Sequence, residues 1–100
     1  MPRWTFLTNH AQVLICIARD PGIRLRQIAE TVGITERASH RIVSELVEEG
    51  YLSRAREGRR NSYTIHAQLP FPDLVAPERS VGDLLGVLAA SGDESEMRPG

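Results

Sequence analysis

One hundred residues, of which 41% are hydrophobic, allow one small domain with a modest core, since a chain this short buries only about 60% or a little more of its unfolded surface. Cys16 is the single cysteine and excludes an intramolecular disulfide framework, MPRWTFLTNH lacks the apolar core of a signal peptide, and the longest fully apolar run, 13–18, is far too short for a membrane span, so a cytoplasmic protein is expected. The net charge of −1 averages two unlike halves: residues 1–70 hold ten Arg against seven acids, and residues 71–100 hold two Arg against six acids.

Trp4, Thr5, Phe6 and Leu7 form a short extended lead-in that packs on the domain or on a partner chain. Thr8 or Asn9 is placed to cap a helix running to Arg19, with Gln12 at capping-box spacing from Asn9. Its interior, Ala11 and residues 13–18, is apolar most of the way round. Such a helix is buried on more than one side, central in the domain or half of a dimer interface. Asp20-Pro21-Gly22 stops it.

Ile23-Arg24-Leu25 reads as a brief strand before a second helix, from Leu25 or Arg26 to Val32, with Leu25, Ile28, Ala29 and Val32 as its inner stripe. Gly33 supplies a left-handed end, Ile34 plugs the turn and Thr35 caps a third helix. That helix, 35–49, places Ala38, Ile42, Val43, Leu46 and Val47 along one side, while Glu36, Arg37, His40, Arg41 and Ser44 lie elsewhere on its circumference. Ser39 is expected to be a small residue that permits close packing. Helix, Gly-Ile-Thr turn, helix is the helix-turn-helix pattern.

Gly50 ends that helix. Residues 51–57 and 61–65 then alternate as two strands about a Glu57-Gly58-Arg59-Arg60 turn, forming a hairpin with Arg54, Arg56, Arg59 and Arg60 toward its tip. Four arginines against one acid, Glu57, are costly to concentrate unless an anion balances them. Pro70, Pro72 and Pro77 make a connector that straps across the domain. Ser80, with Asp83 three residues on, opens a short helix whose stripe is Val81, Leu84, Leu85 and Leu88, weakened by Gly82 and Gly86. The tail after Ala90 is polar and acidic.

A helix, a helix-turn-helix with GIT at its turn, then EEGYL leading to a hairpin with REGRR at its tip, together resemble the winged-helix regulators of bacteria, above all small MarR-like and ArsR-like transcription factors. The resemblance covers roughly residues 8–66. It implies a mainly α fold with a small β-hairpin: a three-helix core, a two-stranded wing and a short C-terminal helix. The divisions are then 1–68 for the winged helix-turn-helix domain, 69–79 for the connector, 80–90 for the C-terminal helix and 91–100 for a disordered acidic tail.

The function implied is sequence-specific DNA binding in transcription regulation, with helix 35–49 in the major groove and wing 54–60 on the backbone or minor groove. Matched position by position, Thr35, Arg37, His40, Arg41 and Ser44 on the helix and Arg54, Arg56, Arg59 and Arg60 in the wing would face DNA. Arg24 and Arg26, at the start of the first motif helix, would clamp a phosphate with its free N–H groups. The partners implied are double-stranded DNA and a second copy, joined through the first helix, the Trp4/Phe6 segment or the C-terminal helix, with no membrane.

Three departures stand out. Arg24 occupies a cap position where relatives carry Ser or Thr, Glu36 in the first turn suits the helix dipole but repels phosphate, and the long helices that build a ligand pocket in full MarR-type proteins are missing, so no such pocket is expected. Cys16 is off the helix face of His10, and His10, His40 and His66 are scattered, so neither a metal site nor a cofactor is expected. No nucleophile has an evident base beside it, which argues against an enzyme. The alternative is a winged helix used as a protein-interaction module without sequence-specific DNA binding. A further option is an acidic tail that competes with DNA for the basic wing.

Overall fold

Side-chain oxygens open three of the four helices in the computed structural model, which describes residues 3–70, 75 and 78–89. Thr8 Oγ1 accepts from the Ala11 N–H at 3.1 Å and starts α1 (Asn9–Arg19), and Thr35 Oγ1 accepts from the Ala38 N–H at 3.0 Å and starts α3 (Glu36–Glu48). Thr8 rather than Asn9 is therefore the cap. Gln12 does not close a box with Asn9; its Nε2 donates to the Leu7 carbonyl at 3.1 Å.

The helix between them, α2 (Leu25–Val32), starts at Arg24, whose side chain has no acceptor atom to offer an amide. Gln27 compensates, its Oε1 accepting from the Arg24 N–H at 3.1 Å. Ile23-Arg24-Leu25 is not a strand: Leu25 already belongs to α2. Gly33 ends α2 at φ 87°, where a side chain would be strained, and both Gly33 and Ile34 donate to the Ala29 carbonyl at 2.8 and 3.0 Å.

The three helices enclose the core. Val13, Leu14 and Ile17 of α1, Ile28 of α2, and Ile42, Val43 and Leu46 of α3 are buried together. Each such side chain, removed from water, contributes about 1.5–3 kcal/mol. Ser39 lies among them, 0% exposed, and its hydroxyl donates to the Leu25 carbonyl at 3.2 Å. The small residue expected for packing thus also ties the first residue of α2 to the second turn of α3, fixing how the two helices cross.

Strands β1 (Leu52–Glu57) and β2 (Arg60–Ile65) pair antiparallel, with Leu52 opposite Ile65, Arg54 opposite Tyr63 and Glu57 opposite Arg60. Gly58-Arg59 is the two-residue loop, and Gly58 takes the positive φ, 66°, that such loops require. The hairpin joins the core at its base through Leu52 and Tyr63, with Ile65 half-buried against it. Residues 53–60 are exposed.

Past the hairpin, Pro70 bridges antiparallel to Ser80, and the Val81 and Gly82 amides donate to the carbonyls of Leu69 and Ala67 at 2.9 and 2.8 Å. Of the expected strap, 71–74, 76 and 77 lie outside the described residues, as does the tail from 90 onward. The last helix, α4 (Val81–Leu88), has the expected reciprocal cap, in which Ser80 Oγ accepts from the Asp83 N–H and Asp83 accepts from the Ser80 N–H. It docks Val81 and Leu85 into the core against α1, while Leu88 is 38% exposed.

Its two glycines are not equivalent. A Cβ on Gly82 would sit 3.1 Å from both Cβ and O of Ala67, whereas one on Gly86 would meet nothing within 4 Å. Helix propensity alone favours alanine at both by about 0.5–1 kcal/mol. Gly86→Ala is therefore expected to raise the thermal midpoint and Gly82→Ala to lower it; a rise at both positions would show that the Ala67 contact yields freely.

Candidate nucleic-acid interface

The core face of α3 is used up by Ile42, Val43 and Leu46, which leaves its other side to solvent. Arg37, His40 and Arg41 are exposed there, Thr35 is exposed at the cap with its hydroxyl oxygen engaged by Ala38, and Ser44 is half-buried. Arg41 Nη1 sits 3.4 Å from Glu45 Oε2, one helical turn on. An exposed pair of this kind contributes little and is readily exchanged for a phosphate.

In the wing, Arg54, Arg56, Arg59 and Arg60 are all exposed. They are not equivalent. Strand alternation sets Arg54 and Arg56 on the face that carries Leu52, and Arg56 Nε donates to the Gly58 carbonyl at 3.4 Å. Arg60 Nη2 donates to the Gly22 carbonyl at 3.0 Å, and the Tyr63 N–H donates to Pro21 at 3.1 Å. These two bonds moor β2 to the α1–α2 connection.

That mooring shapes an open groove of about 530 Å³ between the start of α2 and the wing, lined by Arg24, Arg26, Arg59, Arg60 and Glu36 among others. Four arginines from two elements distant in sequence meet there around one carboxylate. The side chain of neither Arg26 nor Arg59 has a hydrogen bond or ion pair among the described residues. An anion held there would gain from guanidinium forks and from the first free amides of α2. Glu36 faces the same groove and weakens, without cancelling, its positive charge.

His10 had no assigned role in the sequence, yet its Nε2 lies 2.7 Å from Glu45 Oε1, joining α1 to α3 across 35 positions. A carboxylate only accepts, so His10 donates from Nε2. The hydrogen bond from His10, with the nearby Arg41, holds the Glu45 carboxyl below its ordinary range. Folded Glu45 therefore binds its proton less readily than unfolded Glu45. Its contribution is complete above the ordinary glutamate range and is lost as pH falls through the lowered value. The gap in thermal midpoint between the wild type and Glu45→Gln is expected to be present at neutral pH and to close in acid; a gap unchanged by pH would assign it to packing.

Cys16 is half-buried, and burial raises its thiol pKa, the behaviour of a small packing residue rather than a reactive thiolate. Among the described residues no group of three or more His, Cys, Asp or Glu is placed to hold a metal ion, and no helix is long and apolar enough to cross a membrane.

Residues 8–53 match the family model described as winged helix-turn-helix DNA-binding. No curated protein matches significantly. Among solved structures, the PcaV transcriptional regulator of Streptomyces coelicolor in complex with its natural ligand is 21% identical, with a TM-score of 0.53 over 90% of this chain and 67% of that one. A MarR family protein of Mycobacterium tuberculosis in complex with salicylic acid is 16% identical, with a TM-score of 0.54 over 89% of this chain and 62% of that one. The IscR of T. potens is 16% identical, with a TM-score of 0.59 over 98% of this chain and 95% of that one. This chain spans between 46% and 68% of the length of four of the solved chains it matches. The fold is that of the winged helix-turn-helix proteins.

Proposed function

From a chain that carries a winged helix-turn-helix domain of MarR-like fold, we propose a cytoplasmic, dimeric, sequence-specific DNA-binding regulator of transcription. Helix α3 enters the major groove through Arg37, His40, Arg41 and Ser44, with Thr35 at its leading end. Arg26 and Arg59 hold backbone phosphate beside it, with Arg54, Arg56 and Arg60 along the wing's backbone or minor-groove track. The observation that carries this reading is the groove in which arginines of α2 and of the wing converge next to the exposed face of α3.

Dimerisation is supported by the apolar surface left uncovered. Trp4 and Phe6 stack edge to face with centroids 4.9 Å apart, yet are 59% and 89% exposed, and Val87 on α4 is 77% exposed. A second copy on either surface would give the DNA complex a two-fold axis. Selection of bound sequences from random DNA at a stated salt concentration tests the whole reading. An inverted repeat with half-sites about one helical turn apart is expected. Enrichment of no sequence would leave at most a non-specific or protein-binding winged helix.

A further inference from the structure

One carboxylate, that of Glu45, is shared between a group on α1 and a group on α3. Its Oε1 accepts from His10 Nε2 at 2.7 Å, and its Oε2 lies 3.4 Å from Arg41 Nη1. Arg41 belongs to the surface proposed to meet DNA, and its side chain is 61% exposed. We propose that His10 is a positioning residue for Arg41, acting through Glu45, and that the move of Arg41 onto DNA is accompanied by uptake of a proton at His10. This rests on the DNA-binding reading and adds to it a dependence of affinity on pH.

Charge balance sets the coupling. While Arg41 stays beside Glu45, the guanidinium answers the carboxylate and a neutral His10 need only donate its hydrogen bond. An exposed pair at 3.4 Å exchanges readily, so a phosphate or a guanine can draw Arg41 away. The shorter bond to His10 keeps the carboxylate tied to α1, where it no longer has a cation beside it. A carboxylate in that state favours the charged form of the neighbouring imidazole. Nδ1 of His10 has no partner among the described residues and the side chain is 45% exposed, so the second proton is taken from solvent at that atom. The other groups around His10 do not oppose this: Glu49 of α3 lines the same groove as a second acid, Tyr51 adds a phenol, and Val81 and Leu84 of α4 bring no charge. Glu45, held below its ordinary range chiefly by the bond from His10, stays ionised where histidines titrate. By linkage, DNA favours protonated His10, and protonated His10 favours DNA by the same factor.

Anisotropy of a duplex recovered by selection, at fixed salt and from about pH 8 down to about pH 5.5, tests this on the full chain. His10→Gln keeps an N–H donor for Glu45 but takes up no proton. The affinity advantage of the wild type over His10→Gln is expected to be about threefold larger per subunit at the acid end, or about ninefold for the proposed dimer. His40, exposed on α3, is present in both proteins and cancels in the comparison. With Arg41→Ala added to both, the acid advantage is expected to disappear. An NMR titration of the His10 ring protons in the wild type gives an independent measure, the midpoint being expected at higher pH in the DNA complex than in the free protein. An advantage that is the same at every pH, one that survives Arg41→Ala in full, or a His10 midpoint unmoved by DNA would overturn the coupling and leave DNA binding standing. A wild type that binds no DNA at any pH would overturn the DNA-binding reading and the coupling with it.

Discussion

Replacing Arg26 and Arg59 together with alanine is expected to weaken DNA binding about sixtyfold per subunit at ~0.1 M salt, and to lower the log–log salt slope by about 1.8 per subunit, or about 3.6 for the proposed dimer, while the thermal midpoint stays in place. The magnitude follows from counterion release: each lost phosphate contact removes about 0.9 from the slope. The two side chains are exposed, line one groove from α2 and the wing, and make no hydrogen bond or ion pair among the described residues, so the folded core does not rest on them. The loss is expected to be equal on cognate and random DNA, because a phosphate carries no sequence. Arg60 is a poorer choice, since Arg60→Ala also cuts the bond to Gly22 and loosens the wing. Arg41→Ala should behave differently, losing cognate binding more than random binding. Fluorescence anisotropy on both DNAs across a salt series measures all three; an unchanged slope for the double variant would remove DNA from this groove.

The largest stability effect is expected at Ile42, 1% exposed in the middle of α3. Ile42→Ala leaves a cavity between α3 and the other helices and should cost about 2–5 kcal/mol. In a domain whose whole stability is on the order of 5–15 kcal/mol, that lowers the thermal midpoint by roughly 10 °C or more. Val47→Ala on the same helix, where the side chain is only half-buried, should cost much less. Denaturant unfolding of the two variants gives the comparison, and equal losses would mean that α3 does not seat on the core through Ile42.

Most of the fold was legible because it is written in short-range chemistry. Thr35 three residues before Ala38, Ser80 three before Asp83, and Gly33 after Val32 mark helix ends whatever the rest of the chain does. The spacing of Ile42, Val43 and Leu46 names a buried face in the same way. Where local signals were doubled, they left a choice: Thr8 and Asn9 are both good caps, and only the geometry of the chain entering α1 selects Thr8. Gly82 was legible only as a weak helix residue, since Ala67 is invisible to helix periodicity.

For the candidate site, the sequence named the cationic side chains of α3 and the wing, because an exposed arginine is identified by what it cannot be packed against. It could not rank them. Arg59 and Arg60 are neighbours in the chain, yet among the described residues the side chain of one has no hydrogen-bond partner and the other is bonded to Gly22, 38 positions away. By itself, then, the sequence determined the helices, the caps at Thr35 and Ser80 and the charge of the wing, each set by interactions within a turn or two of backbone. Only the tertiary structure decided the Ser39–Leu25 tie, the Arg60 mooring, the His10–Glu45 pair and the groove between α2 and the wing, because each depends on the angle and register at which separate elements meet.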